Sequence, residues 1–447
     1  MSFIISNVIK YIRMGDLFQL PNIKKKILID STFLFDQYST RGIGRYGIEV
    51  VSRLIEIVYN KSENYEIGLI GFLDLESNLA KLGFSLSGKY LLSKVNFFSL
   101  EEIRLSTPKN IFDWMTKYVP IINSYKPDLY FTLNFERGYP TVPIINKKLI
   151  IKPKTVLTIH DIIPVMIKKY SSKGVVHNYV KGAFYNFMLK GIDKVDLIIT
   201  PSEYTKNQIL KYKKVKEEKI SSIYNGISDK FFISKYQLDQ NYIRSILEKY
   251  GLLGEKYLFY DSGLEPSKGI NELLLIFKYI LNAKSITLPK KLVITGKSLN
   301  KGIGSDISSN DVLGDRFLNY AKKLGILDNI CATGYVTDEE LIALLINATA
   351  HIYLSKNEGF GFGPVQAMAA EVPSIVYNGS CLPEITQGGA LLVNLKDLSV
   401  SARQIINFLE DEKLISEMKQ KGLEVAQRYN WDNTAINTWQ LIQNLLE

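Results

Sequence analysis

Short apolar runs alternate with longer amphipathic stretches along this chain, the pattern of parallel strands covered by helices on both faces. In the first half, KKILIDSTFLF (25–35), YEIGLIGFL (65–73), DLYFTL (128–133), KTVLTIH (154–160) and VDLIITPS (195–202) predict buried strands. Helical patterns such as GIGRYGIEVVSRLIEIV and GAFYNFMLKGI lie between them. The rhythm restarts with KYLFYDSG (256–263), KLVITGK (291–297), DNICATGYV (328–336), AHIYLS (350–355) and PSIVYN (373–378). The fold class is therefore α/β, with two doubly wound, Rossmann-like domains joined near residues 226–250. The expected division is a leader over 1–24, a first domain over 25–249 and a second over 250–427. A final helix over 428–447 is expected to pack back toward the first domain.

The chain has 447 residues, roughly three times the ~150 used as a prior per domain, which agrees with two large units. With 46% hydrophobic and 22% charged residues it has the composition of a globular protein with real cores. Two cysteines, Cys331 and Cys381, are too few for a disulfide framework, and their spacing fits no zinc motif; a reducing cytoplasm is the expected home. No stretch reaches the ~20 apolar residues of a membrane span.

Charge changes the picture, because it is uneven. Residues 1–250 carry 37 Lys and Arg against 23 Asp and Glu, whereas residues 251–447 carry 18 against 22. The basic first half suits an anionic partner. The opening MSFIISNVIKYIR is amphipathic and has two readings, a disordered leader or an interfacial helix that would bring peripheral contact with anionic lipid at the inner face of the plasma membrane. The run KYKKVKEEK (211–219) reads first as a solvated face. Nucleic-acid binding would need aromatics interleaved with basic residues on one surface, and none is expected.

In open parallel sheets, ligands sit beyond the carboxyl ends of the strands. One such loop is STRGIGRYGIE (39–49), where Gly42 and Gly44 let the backbone face an anion, although no acidic residue ends the next strand as a dinucleotide fold requires. A second is GLEPSKGINELL (263–274), with Lys268 just before a helix. A third, TGYVTDEELIALL, holds Thr337 and Glu340 as a capping box. A fourth, SKNEGFGFGPVQAMAAEVPSIV (355–376), places Glu358 after a strand, with Gly361, Gly363 and Pro364 leading into a helix.

These segments, with TIHDIIP, TPSEYTKNQI, IYNGIS and LPEI, together resemble the retaining glycosyltransferases of family 4, with the GT-B fold, and most of all bacterial mannosyltransferases of surface polysaccharide assembly. The resemblance implies a nucleoside-diphosphate sugar as co-substrate, a glycan or lipid-linked glycan as acceptor, and neither cofactor nor metal. GDP-mannose is the first choice of donor; UDP-glucose or a UDP-hexosamine is the second. Glu358 matches the glutamate that orients the donor sugar, Lys268 the lysine that neutralises the leaving diphosphate, and His160 a histidine at the sugar's reacting face. Gly42 and Gly44 match the loop closing over the phosphates, and Ser262, Val336, Gly361, Phe362 and Gly363 fall in the donor-binding segments. Gln366 stands where a second glutamate normally holds the ribose hydroxyls, and the arginine often found near the lysine is absent from YDSGLEPSKG. Both departures weaken donor binding in principle. They keep open the alternative of a catalytically silent relative that stabilises or targets a partner transferase.

Overall fold

The computed structural model describes residues 24–35, 42–61, 64–72, 75–83, 95–100, 118–133, 149–166, 183, 186, 189, 191–232, 239–283 and 285–447. The leader, including its amphipathic stretch, and most of GAFYNFMLKGI lie outside the described residues. None of the described helices is long and apolar enough to cross a membrane.

The described strands form two seven-stranded sheets. The first contains β1 (Lys25–Asp30), β2 (Tyr65–Phe72), β3 (Asn96–Leu100), β4 (Leu129–Thr132), β5 (Lys154–Thr158), β6 (Leu197–Thr200) and β7 (Ile220–Ser222), in the order β3-β2-β1-β4-β5-β6-β7. The second contains β8 (Tyr257–Tyr260), β9 (Lys291–Thr295), β10 (Gly302–Ile303), β11 (Ile330–Gly334), β12 (Ala350–Tyr353), β13 (Ser374–Tyr377) and β14 (Leu391–Val393), in the order β10-β11-β9-β8-β12-β13-β14. Pairing is parallel throughout except between β10 and β11. Central strands such as Leu129–Thr132 and Tyr257–Tyr260 are buried at every position, which is why they read as unbroken apolar runs rather than as alternation.

Six helices matter for the site: α1 (Gly42–Lys61), α2 (Glu203–Tyr212), α3 (Ile270–Asn282), α4 (Asp338–Ile346), α5 (Phe362–Ala369) and α6 (Trp431–Leu446). Helix α6 lies on the first domain: Trp431, Trp439 and Ile442 are buried in the same apolar cluster as Val50, Leu54 and Val58 of α1. Arg53 of α1 also pairs with Asp432 at 2.6 Å.

The chain changes domain earlier than the expected 249/250 boundary. Ile223 packs in the first-domain core, whereas Ile227 and Phe231 already belong to the second. Helix Gln240–Lys249 buries Ile243, Ile246 and Leu247 in that second core, an i, i+3, i+4 stripe that a linker would not carry. At the crossing, the Ile227 N–H donates to the Tyr429 carbonyl at 3.1 Å, so the outgoing and returning segments run side by side.

Candidate active site

Residues from both domains converge on a cleft of about 480 Å³. Its second-domain wall is built around α5. Gly361 sits at the start of that helix with φ +86°, a left-handed conformation that glycine adopts without the Cβ penalty. No side chain caps the helix, so its first N–H groups are left for a ligand, and Gly361, Phe362 and Gly363 line the cleft there. Pro364 falls within the first turn, where its missing N–H costs nothing. Phe362 is shared between the two apolar cores and tilts against Trp431 at 6.2 Å, tying the helix start to the first domain.

Glu358 lies five residues beyond the end of β12 and lines the cleft. Its Oε1 accepts from the Lys268 ammonium and from the Tyr353 hydroxyl, each at 2.6 Å. Its main chain is pinned by Ser380, which accepts from the Glu358 N–H at 2.8 Å and donates to the Glu358 carbonyl at 3.0 Å. Ser380 does this from a left-handed φ of 61°, a strain of the kind that persists at sites where surrounding contacts enforce it. Burial alone would pull the Lys268 ammonium down, but the adjacent Glu358 carboxylate, with Glu265 and Asp161, outweighs it and raises the pKa. Lys268 therefore stays charged, ready for an anion.

The first domain contributes His160, which lines the cleft and is only 7% exposed. Its Nε2–H donates to the Leu133 carbonyl at 2.9 Å, which leaves Nδ1 as the free lone pair. Burial lowers its pKa to about 4, against the opposing pull of the Leu133 carbonyl, so the ring is neutral at pH 7. Tyr46 meets it edge-on at 4.8 Å. Gly359 allows the domains to close here, since a Cβ would stand 1.9 Å from the His160 carbonyl oxygen. Its own carbonyl accepts from the Ser202 hydroxyl at 2.6 Å. Beside this contact, the Glu384 carboxylate accepts the Glu203 and Tyr204 N–H groups at 2.7 and 2.9 Å, capping α2 from the other domain.

Among the residues expected from sequence, Gly42, His160, Val336, Glu358, Gly361, Phe362, Gly363 and Gln366 share this cleft. Gln366 is 8% exposed on the wall formed by α5. Lys268 reaches it through Glu358. Gly44 does not line it: both glycines fall in the first turn of α1, where Gly42 faces the cleft and Gly44 is buried. Ser262 also lies off the wall. Thr337 and Glu340 form the capping box at α4.

Several lining residues were missed by sequence reasoning, among them Arg45, Asp261, Asp338 and Tyr353. Asp261 follows the last residue of β8 and accepts from His351 at 3.0 Å, whose other nitrogen meets Ser374 at 3.1 Å. A polar residue directly after an apolar strand was a usable signal for it.

Two doubly wound sheets facing a ligand-sized cleft define the GT-B class of fold. Comparisons agree. The family described as Glycosyl transferases group 1 matches residues 243–425, and Glycosyltransferase Family 4 matches residues 96–231. The serotype-specific mannosyltransferase WbdA of Escherichia coli is 25% identical over 321 residues, covering 70% of this chain and 36% of the relative. The chain thus spans about a third of the length of that relative. The O-antigen chain mannosyltransferase B of Escherichia coli is 24% identical over 414 residues, covering 90% of this chain and 96% of the relative. Anabaena Alr3699/HepE in complex with UDP and glucose superposes with a TM-score of 0.65 at 16% identity, covering 94% of this chain and all of the other. The chain belongs to the family 4 and group 1 glycosyltransferases of the GT-B fold.

Proposed function

We propose that the protein transfers a hexose from a nucleoside-diphosphate sugar to a glycan or lipid-linked glycan in cell-surface polysaccharide synthesis, with retention at the anomeric carbon. GDP-mannose is the favoured donor, supported by the mannosyltransferase relatives; UDP-glucose or a UDP-hexosamine is the second choice. The observation that carries the reading is the charged Lys268 held 2.6 Å from Glu358, which itself lines a cleft formed by both domains. Breaking the glycosidic C–O bond leaves negative charge on the diphosphate. Lys268 and the uncapped start of α5 meet that charge with groups fixed before reaction, which is where an enzyme gains most. Glu358 orients the sugar, neutral His160 lines its reacting face, and Gln366 accepts from the ribose hydroxyls. The acceptor approaches from the first domain, whose basic balance suits an acceptor at the inner face of the plasma membrane.

The test is release of nucleoside diphosphate by the purified chain given GDP-mannose, UDP-glucose or UDP-N-acetylglucosamine, with polyprenyl-diphosphate glycans as acceptors. Transfer with an α-linked product supports the reading. Binding of donor with no release or transfer under any pairing favours the second reading, a silent relative, which the neutral Gln366 motivates.

A further inference from the structure

The charges on the cleft wall do not suit an anion as they stand. Among the described residues lining the cleft, Asp161, Asp261, Asp338 and Glu358 are acidic and Arg45 alone is basic. Each carboxylate already has a partner: Glu358 the Lys268 ammonium, Asp261 His351, Asp161 the Ile163 N–H at 2.8 Å, and Asp338 the Arg45 guanidinium at 2.8 Å. The last pair crosses between the domains, from the first turn of α1 to the first turn of α4. Arg45 is 30% exposed and Asp338 46%. An ion pair this open contributes little net stability, so little is lost when it exchanges.

We propose that Arg45 is the first domain's diphosphate ligand, stored on Asp338 in the unliganded protein and handed to the donor when it binds. The inference rests on the nucleotide-sugar reading above. A diphosphate offers several oxygens in the fork geometry that a guanidinium matches, and more charge than one carboxylate, so it displaces Asp338. The tie between domains then passes from a protein carboxylate to the ligand itself. Arg45 thereby supplies from across the cleft the second cation that the loop around Lys268 lacks.

The exchange makes two variants move in opposite directions. Arg45→Gln should weaken GDP and UDP about tenfold, the size of one charge-assisted contact. Asp338→Asn should tighten both several-fold, because the competitor for the guanidinium is gone. Arg45→Gln/Asp338→Asn should bind like Arg45→Gln alone. Guanosine and uridine, which have no phosphates, should bind all four proteins equally. Titration calorimetry on the full chain reads all of these, and circular dichroism checks that each variant is folded. If both single variants weaken the diphosphates, or neither changes them, Arg45 and Asp338 are a strap between domains and the exchange is refuted. Failure of the unaltered chain to bind any nucleoside diphosphate would instead remove the nucleotide-sugar reading.

Discussion

Replacing Lys268 with alanine separates what the Lys268–Glu358 pair does for the fold from what it does for the reaction. Lys268 and Glu358 side chains are 25% and 13% exposed, so the pair lies mostly out of water. Deleting the ammonium leaves Glu358 with the Tyr353 hydroxyl as its remaining side-chain donor. Breaking a fully buried pair costs about 3–5 kcal/mol, and the quarter exposure of Lys268 reduces this to about 2 kcal/mol. For a domain of this size that is a fall of about 4–8 °C in Tm. Lys268→Ala/Glu358→Gln removes the stranded charge and should recover most of that loss. Turnover should behave differently: one preorganised electrostatic contact to the departing diphosphate is worth ~10²–10³ in kcat, and the double variant should not regain it. The assay is nucleoside-diphosphate release at saturating donor, run beside denaturant unfolding. A kcat for Lys268→Ala equal to that of the unaltered protein, or one that returns together with stability in the double variant, would confine Lys268 to a structural role.

Gln366→Glu should tighten the donor by about 1 kcal/mol if the amide accepts from ribose hydroxyls, since charge-assisted bonds are about twice as strong as neutral ones; weaker binding by calorimetry would mean that the site excludes negative charge. His160 should make stability pH-dependent: below pH 6.5 the unfolded chain takes a proton that the folded ring refuses until about pH 4, so about 3 kcal/mol is present above that window and lost as pH falls through it. Denaturant unfolding across pH 4–7 should show that slope and His160→Gln should flatten it; parallel curves would contradict the buried neutral ring. Vesicle sedimentation should favour anionic over neutral lipid, weaken with salt and drop on deletion of residues 1–13; equal partitioning to both lipids would assign the basic first half to an anionic glycan instead.

The strands that sequence patterns located and those they missed differ by position in the sheet. Every run read as a strand, from Lys25–Asp30 to Ser374–Tyr377, became a member of a sheet flanked on both sides. The four not read, β3, β7, β10 and β14, are the edges of the two sheets. An edge strand pairs on one side only and needs neither length nor an unbroken apolar run. Ile220–Ser222 and Leu391–Val393 are three residues each, too short for any period to show. The helix Gln240–Lys249 is legible in principle, because its apolar stripe of Ile243, Ile246 and Leu247 is local, but it lies inside the 226–250 junction between the two domain patterns.

The site divides along a similar line, between what one loop can specify and what only the fold can bring together. The uncapped start of α5, the Thr337–Glu340 box and Asp261 after β8 are each written within a few residues, so turn and cap chemistry could find them. Lys268 and Glu358 are 90 positions apart, and Arg45 and Asp338 are 293 apart. Nothing in the local pattern of GIGRYGIE distinguishes Arg45 from a solvated helical arginine; its meaning comes from the carboxylate that the second domain sets opposite it. The same holds for His160, whose low pKa arises from burial beneath a closed interface and not from a neighbouring residue in sequence. In a two-domain protein whose ligand lies between the domains, the groups that recognise the ligand's shape can be local, but the groups that balance its charge are supplied in pairs across the gap. Those pairs exist only once both sheets have folded and met.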